Sequence, residues 1–301
     1  MSATTAIEWT DTTWNPIVGC SVVSPGCTNC YAMKLAGNRL AHLPAYAGLT
    51  QASKSGPVWT GEVRQQNSVL LAPRAWRKPR RVFVNSMSDL FHESIPDDWI
   101  DQVFAVMAMS PQHQFQVLTK RAARMRAYIE RYRDFEWPLP NVWLGVSAED
   151  QTRWDERVKD LIATPAAVRF VSAEPLLGPI QDVRRVWALL DWVIAGGESG
   201  PGARPMHPDW VRNLRGQCAG SDTAFFFKQW GEFAPRDISR AEWAKPAPMR
   251  DGEQVAGPGG ALIDYACRAE TVTVMRRVGK KAAGRLLDGR QHNAFPHTKA
   301  A

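Results

Sequence analysis

Six short apolar runs recur between residues 81 and 230, and they constrain the fold more than any other feature of the chain. Each run is mostly β-branched or aromatic and apolar on both faces, as the buried strands of a parallel sheet are. The runs lie at 81–85, 115–119, 142–146, 168–171, 192–195 and 224–227. Amphipathic segments typical of helices lie between them, at 96–109, 122–133, 151–162 and 208–219. A spacing of about 25 to 35 residues suits β-α units, so the sequence predicts an α/β fold, a partial (β/α)6 barrel of the TIM type.

The two ends of the chain extend this pattern. A further strand near residues 7–9 would add a seventh unit at the N-terminal side. We predict one domain at 1–233, which includes a lid segment at 38–79 rich in proline and glycine. Residues 234–301 are predicted to be an irregular, basic C-terminal extension.

Three of the five cysteines lie within eleven residues, at Cys20, Cys27 and Cys30. Glycine and proline between them favour a tight loop on which the sulfurs could converge, to hold either zinc or an iron–sulfur cluster. A closed structural zinc site needs four protein ligands, whereas a cluster held by three thiolates leaves one iron open to a small molecule. An odd cysteine count, clustered in this way, argues against a secreted disulfide framework and predicts a cytoplasmic protein.

Polar side chains follow the predicted strands, where the rim of a barrel carries active sites. Two successive units even share the tetrapeptide Val-Ser-Ala-Glu, at 146–149 and 171–174. Lysine and hydroxyl groups suit a carboxylate, and acidic groups suit an ammonium or ribose hydroxyls, so this rim suits a zwitterionic ligand. The candidate cofactor-binding residues are Ser86, Ser88, Asp89, Lys120, Ser147, Glu149 and Glu174. Glu198 and Lys228, on later strands, are the catalytic candidates facing the substrate.

A three-cysteine loop followed by a partial barrel with a polar rim resembles the radical S-adenosylmethionine (SAM) superfamily. The resemblance implies a [4Fe-4S] cluster on Cys20, Cys27 and Cys30, whose open iron binds the amino and carboxylate groups of SAM. An electron from the cluster would then cleave the sulfonium to a 5′-deoxyadenosyl radical. The first cysteine gap has six residues here, against the usual three.

Two narrower resemblances add to this. The Trp-Asn-Pro opening that leads into the cysteine loop, and the ending at 279–288, resemble a phage-associated three-cysteine family that brings no established reaction. The stretches at 86–89 and 118–120 are distantly similar to spore photoproduct lyase, which implies that Ser88, Lys120 and Ser147 contact SAM. Ser86 stands where that lyase carries its hydrogen-donating cysteine, so the same repair reaction is not expected.

Charge and tryptophan content bear on partners. A net charge of +7 and an isoelectric point near 9.3 favour a nucleic-acid partner. The tryptophans of the N-terminal quarter (Trp9, Trp14, Trp59 and Trp76) suit either base stacking or, with more weight, core packing. A radical SAM reaction also needs an electron donor. No run approaches the roughly 18 apolar residues of a membrane span, so no membrane association is expected.

Two alternatives stay open at the level of sequence. One is a metal-dependent TIM-barrel hydrolase, with Asp89, Glu149, Glu174 and Glu198 around divalent ions, although the predicted rim has few histidines. The other is a non-catalytic nucleic-acid-binding protein with a zinc staple. The three readings differ in the metal that the cysteines hold and in whether SAM is cleaved.

Overall fold

The structure, a computed structural model, describes residues 5–131, 137–182, 186–239, 253–255 and 271–296. The strands are β1 (Thr12–Trp14), β2 (Ile17–Val18), β3 (Thr50–Ser53), β4 (Gly56–Trp59), β5 (Arg64–Gln65), β6 (Arg81–Val84), β7 (Gln114–Thr119), β8 (Val142–Ser147), β9 (Val168–Ala173), β10 (Trp192–Gly196), β11 (Ala224–Gln229), β12 (Phe233–Ser239), β13 (Glu253–Val255) and β14 (Thr271–Arg277). The helices are α1 (Tyr31–Gly37), α2 (Asn67–Leu70), α3 (Asp97–Ala108), α4 (Ala122–Arg131), α5 (Gln151–Ala163), α6 (Pro208–Ala219) and α7 (Lys280–Ala283). Short 3-10 turns lie at Pro25–Cys27, Ala72–Ala75 and Val186–Leu189.

Seven strands form a parallel half-barrel sheet in the order β1-β6-β7-β8-β9-β10-β11, flanked by helices, which confirms the predicted fold class. All six apolar runs are strands, and all four amphipathic segments are helices. Every residue of β8 and of β10 is buried, as strands covered on both faces require.

Helix α3 shows how the local sequence produces these elements. Asp97 and Asp98 lie in its first turn, where the helix dipole favours negative charge. Its buried side chains recur at the helical spacing of three and four residues, at Ile100, Val103, Phe104 and Met107. Each large apolar side chain buried in this way contributes roughly 1.5–3 kcal/mol.

The first strand is not where the sequence placed it. It begins at Thr12 rather than near residue 7, and its residues pair in parallel with β6, Thr12 opposite Val82. Trp9 is buried as a side chain, with its ring 4.8 Å from that of Phe83. The apolar character of Trp9 thus reflects its packing against the sheet, and residues 7–9 do not form a strand of it.

The chain divides into two compact units. The first comprises residues up to Ser147 together with Asp155–Val171, and the second comprises Ala148–Trp154 and Ser172–Pro296. The predicted domains at 1–233 and 234–301 stay a prediction. The second unit holds a three-stranded antiparallel sheet in the order β12-β14-β13, whereas 240–252, 256–270 and 297–301, about half of the predicted extension, lie outside the described residues.

The C-terminal segment, residues 280–296, is anchored within the second unit. Trp230 donates its backbone N–H to Gly284 O at 3.1 Å and its indole N–H to Leu286 O at 2.8 Å. Phe227 N donates to His292 O at 2.9 Å. Residues 280–296 are therefore held by the last strand of the half-barrel.

The predicted lid segment packs beside the cysteine loop in the first unit. Its hairpin β3–β4 pairs antiparallel, and Leu49 and Trp59 join a buried apolar cluster with Met33 and Ala36 of α1. That this segment covers the mouth of the barrel as a lid stays a prediction.

Three of the four N-terminal tryptophans (Trp9, Trp14 and Trp59) are buried, which favours core packing over base stacking. Trp76 is half-buried, and the Arg80 guanidinium lies 5.5 Å from its ring centre. Across the described ranges, no helix combines the length and the apolar character that crossing a membrane requires.

Candidate functional site

The cysteine loop is shaped by a glycine and by local backbone hydrogen bonds. Gly19 has φ +95°, and a Cβ there would lie 2.2 Å from the Glu62 carbonyl oxygen, so only glycine fits. Cys30 N donates to Cys27 O at 3.2 Å, and Cys30 O accepts from Lys34 N at 3.1 Å, where α1 begins. The turn thus places Cys27 and Cys30 in succession at the start of a helix.

All three cysteines are free thiols in largely buried positions. Cys27 is buried, and the half-buried Cys20 and Cys30 pack on the apolar cluster of α1 and the β3–β4 hairpin. Burial raises the pKa of Cys20 to about 12; the Asp89 carboxylate adds to this rise, Arg121 opposes it, and Cys30 contributes as well. Metal binding at Cys20 must therefore release a proton.

The thiols do not form a ready single-ion site. Within the described part of the chain, no three His, Cys, Asp or Glu side chains are arranged to hold a metal ion. Cys218 is buried in α6 of the second unit, and Cys267 lies outside the described residues. Three thiols are the donors that a three-thiolate cluster would use, and an arginine nitrogen lies 3.9 Å from one of the sulfurs, where its positive charge would offset the negative charge of a thiolate.

The Ser-Met-Ser-Asp loop after β6 is tied to the cysteine loop. Ser86 donates its hydroxyl to Asn15 Oδ1 at 3.1 Å, and Ser88 donates its hydroxyl to Ile17 O at 3.0 Å. Tyr31, directly after Cys30, donates its hydroxyl to Ser86 O at 2.7 Å. Because both serine protons are used within the protein, Ser86 and Ser88 can only accept from a ligand, for example from an ammonium or a ribose hydroxyl.

Asp89 is bonded extensively within the protein itself. It is 5% exposed, and it accepts from the Thr119 hydroxyl at 2.6 Å, from Lys120 N at 2.9 Å and from Phe91 N at 3.0 Å. Arg121 completes the set with an ion pair at 3.0 Å. A ligand at Asp89 would compete with these four donors.

Arg121 is the residue to which sequence reasoning gave no role. Besides Asp89, its guanidinium donates to Glu93 at 2.8 Å and to the Ser21 hydroxyl at 2.6 Å, and it lies 3.9 Å from the Cys20 sulfur. Its place directly after Lys120, at the end of β7, was the signal that could have identified it.

Lys120 differs from Arg121 in the partners of its side chain. Its backbone N–H is fixed by Asp89, but its half-buried ammonium makes no hydrogen bond or ion pair with any described residue. A half-buried cation without a partner suits an anionic ligand. Ser147 ends β8 and is almost fully buried, with its backbone oxygen accepting from Arg157 at 2.8 Å.

The remaining predicted residues lie in the second unit. Lys228 lies within β11, not beyond it, and forms an ion pair of 2.7 Å with Glu174, which also accepts from the Ser172 hydroxyl at 3.3 Å. Glu149 is buried, and its backbone oxygen accepts from Leu177 N at 2.7 Å.

Glu198 is held by Arg204 through both carboxylate oxygens, at 2.9 and 2.6 Å. Three of the four carboxylates of the hydrolase hypothesis therefore each have a cationic partner: Asp89, Glu174 and Glu198. A divalent ion would have to displace the cation that each of these carboxylates already binds, so these ion pairs do not favour the hydrolase.

Comparisons with known proteins are few. The family described as "Protein of unknown function (DUF5131)" matches residues 4–296. Among solved structures, a double mutant of spore photoproduct lyase with bound AdoMet and dinucleoside spore photoproduct is 10% identical, with 92% of this chain and 71% of that chain covered and a TM-score of 0.41. No functionally curated protein matches.

Proposed function

The chain belongs to the DUF5131 family, and we propose that it holds a [4Fe-4S] cluster through Cys20, Cys27 and Cys30 and reductively cleaves SAM. When bound, the cluster supplies the electron that breaks the sulfonium bond. The protein's own contribution is to bind and orient SAM and to exclude water.

The observation that carries this proposal is the unpartnered ammonium of Lys120 and its connection, through described residues, to the cysteine loop. Lys120 N is hydrogen-bonded to Asp89, Asp89 is paired with Arg121, and Arg121 contacts Cys20 and Ser21. The backbone of a residue whose cation suits a carboxylate is thus linked to the cysteine loop by three contacts, of which the Asp89–Arg121 pair is buried and the other two are partly buried. A three-thiolate site and a carboxylate-binding lysine in one network suit SAM bound at an open iron.

The other predicted residues receive narrower roles under this proposal. Ser86 and Ser88 accept from donor groups of the cofactor, and Ser147 offers a further hydroxyl. The cofactor-binding role of Glu149 and Glu174 stays a prediction from the sequence. Glu198 and Lys228 are proposed to serve the substrate, which must displace Arg204 or Glu174 to reach them. An electron donor and a reducing cytoplasm are required by the same chemistry.

The decisive experiment is anaerobic purification with iron and sulfide reconstitution. We expect about four irons and four sulfides per chain, a brown protein, and 5′-deoxyadenosine formed from SAM on reduction. A colourless protein that holds one zinc and forms no 5′-deoxyadenosine would contradict the proposal and support the zinc-stapled alternative.

We also propose that the substrate or partner is a nucleic acid. Arg276, Lys281 and Arg290 are exposed on the C-terminal segment, and none of these side chains has a hydrogen-bonding or ionic partner among the described residues. Arg277, by contrast, lies 3.6 Å from Glu232. Unpaired surface cations are the groups that release counterions from phosphates.

Fluorescence anisotropy with labelled DNA and RNA tests this partner. Replacing the three unpaired cations by glutamine should weaken binding and reduce the slope of log K against log salt by about 0.9 for each phosphate that the variant no longer neutralises. Arg277→Gln is the matched control and should change the slope less. If the slope of log K against log salt is the same in the triple variant as in the wild type, the nucleic-acid proposal is wrong.

A further inference from the structure

Arg121 connects the cysteine loop with the loop that follows β6. We infer that Arg121 is a positioning residue for the cysteine site, which orients Cys20 and raises the reduction potential of the bound cluster. The inference rests on the proposed function, since it concerns the same three cysteines.

The geometry leaves Arg121 little freedom. Its side chain is buried, and its three nitrogens are used against Asp89, Glu93 and the Ser21 hydroxyl. One of these nitrogens also lies 3.9 Å from the Cys20 sulfur. A guanidinium presents donors in a rigid fork, so these partners fix its orientation toward the sulfur.

Cys20 is also positioned through its neighbour Ser21. Its hydroxyl accepts from Arg121 and also faces His92 Nε2 at 2.9 Å. His92 Nδ1 accepts from Ser94 N at 3.1 Å, so the neutral imidazole carries its proton on Nε2 and donates it to Ser21. Burial and the nearby Arg121 lower the pKa of His92, which keeps it neutral. Arg121 and His92 thus both donate to the Ser21 hydroxyl and hold this residue, next to Cys20, in place.

The charges around Cys20 explain why the potential should respond. The Arg121 guanidinium lies 3.9 Å from the Cys20 sulfur and pairs with the buried Asp89 carboxylate at 3.0 Å, so a cation and an anion of opposite effect both lie at this side of the site. Reduction of a thiolate-bound cluster adds a negative charge, so a nearby cation and N–H donors make it easier and an uncompensated carboxylate makes it harder. Removing Arg121 would leave Asp89 as a buried anion without its cation beside the site.

The test uses the full-length reconstituted protein without SAM. Arg121→Gln should hold the cluster about 10- to 100-fold less tightly against a chelator and shift its potential, in an EPR-monitored titration, to more negative values. The double variant Arg121→Gln with Asp89→Asn removes both charges and should shift the potential back toward that of the wild type. Arg126→Gln is the control and should change neither retention nor potential, because Arg126 of α4 is paired with Glu130 and Asp160 and not with Asp89, Glu93 or Ser21.

The outcomes separate the two proposals. If the wild type takes up no cluster, the proposed function fails and this inference fails with it. If the wild type takes up the cluster and Arg121→Gln leaves retention and potential unchanged, only this inference is overturned. If Arg121→Gln does not fold, Arg121→Lys decides: retention weaker than in the wild type, with the potential preserved, supports the inference, and wild-type retention overturns it.

Discussion

Asn15 holds Ser86 in place: its side-chain oxygen accepts the Ser86 hydroxyl at 3.1 Å and also the backbone N–H of Met87 at 3.0 Å. In the same contact between residues 14–17 and 85–87, Trp14 O accepts from Asn85 N at 2.8 Å, and Ile17 N donates to the Asn85 side chain at 3.3 Å. Asn85 itself has φ +56°, a conformation that asparagine tolerates better than most residues. The Trp-Asn-Pro opening therefore has a physical reason to accompany the serine loop: it fixes that loop against the start of the cysteine loop.

Replacing Asn15 by alanine should destabilise the protein by about 1–3 kcal/mol, because two donors lose their acceptor. Asn15→Asp keeps an acceptor oxygen and should lose less. Urea unfolding of the two variants beside the wild type measures the difference. Equal free energies of unfolding for Asn15→Ala and the wild type would mean that the two hydrogen bonds do not hold the loop.

Single alanine replacements of Cys20, Cys27 and Cys30 should each abolish cluster binding, since a cluster held by three thiolates has no spare protein ligand. Cys218→Ala is the matched control, because Cys218 is fully buried in α6 and serves packing. Iron and sulfide per chain after anaerobic reconstitution are the measurement. Loss of iron in the Cys218 variant, with its fold intact by circular dichroism, would show that the three-thiolate assignment is wrong.

Lys120→Ala should weaken SAM binding by about 10- to 100-fold, the effect of losing one charge-assisted hydrogen bond. Stability should hardly change, because the ammonium has no partner among the described residues. Lys159→Ala, at an exposed position of α5, is the control for loss of a positive charge. Titration calorimetry with the reconstituted protein decides, and SAM affinity equal to that of the Lys159 variant would remove Lys120 from the site.

The strands and helices could be predicted because their pattern is local. The run at 142–146 is apolar on both faces, and the strand found there, β8, is buried throughout. The same reasoning wrongly predicted a strand at residues 7–9, because an apolar residue such as Trp9 can be buried against a sheet without belonging to one of its strands. The apolar pattern of a segment predicts that it is buried, but only its backbone hydrogen bonds decide whether it forms a strand.

The chemistry of the rim was harder to predict, because it depends on partners distant in sequence. Asp89 reads as a ligand-binding carboxylate until Arg121, 32 residues later, is seen to pair with it. Glu174 and Lys228 were assigned separate roles, yet they form one ion pair across 54 residues. Lys120 differs in lacking such a partner among the described residues, which no spacing in the sequence reveals.

Cys20 should react slowly with alkylating reagents in the metal-free protein. With a pKa raised to about 12 by burial and by Asp89, the thiolate is on the order of one part in ten thousand at pH 8. Alkylation of Cys20, followed by mass spectrometry, should accelerate about tenfold per pH unit up to about pH 12.

The unfolded chain is the reference for this prediction. Its cysteine pKa is near the ordinary value of 9.0, so denatured protein should be labelled far faster at pH 8. Because the folded state keeps the proton that the unfolded state loses, the contribution of Cys20 to stability is complete below pH 9 and is lost as the pH rises toward 12. Labelling of native and denatured protein at equal rates at pH 8 would contradict the burial of this thiol.

Gly231 and Gly200 separate two reasons for requiring glycine in the second unit. Both have positive φ, +83° and +91°, so alanine at either position should cost about 1–2 kcal/mol in backbone strain. Around Gly200 nothing described lies within 4 Å of an added Cβ, whereas at Gly231 the Cβ would lie 2.1 Å from the Glu198 carbonyl oxygen. Gly231→Ala should therefore cost about 1–3 kcal/mol more than Gly200→Ala, because it forces apart the two loops that join at Glu198. Urea unfolding of both variants measures this difference directly. Equal losses would mean that conformation alone requires glycine at position 231, and that the close approach to Glu198 yields at little cost.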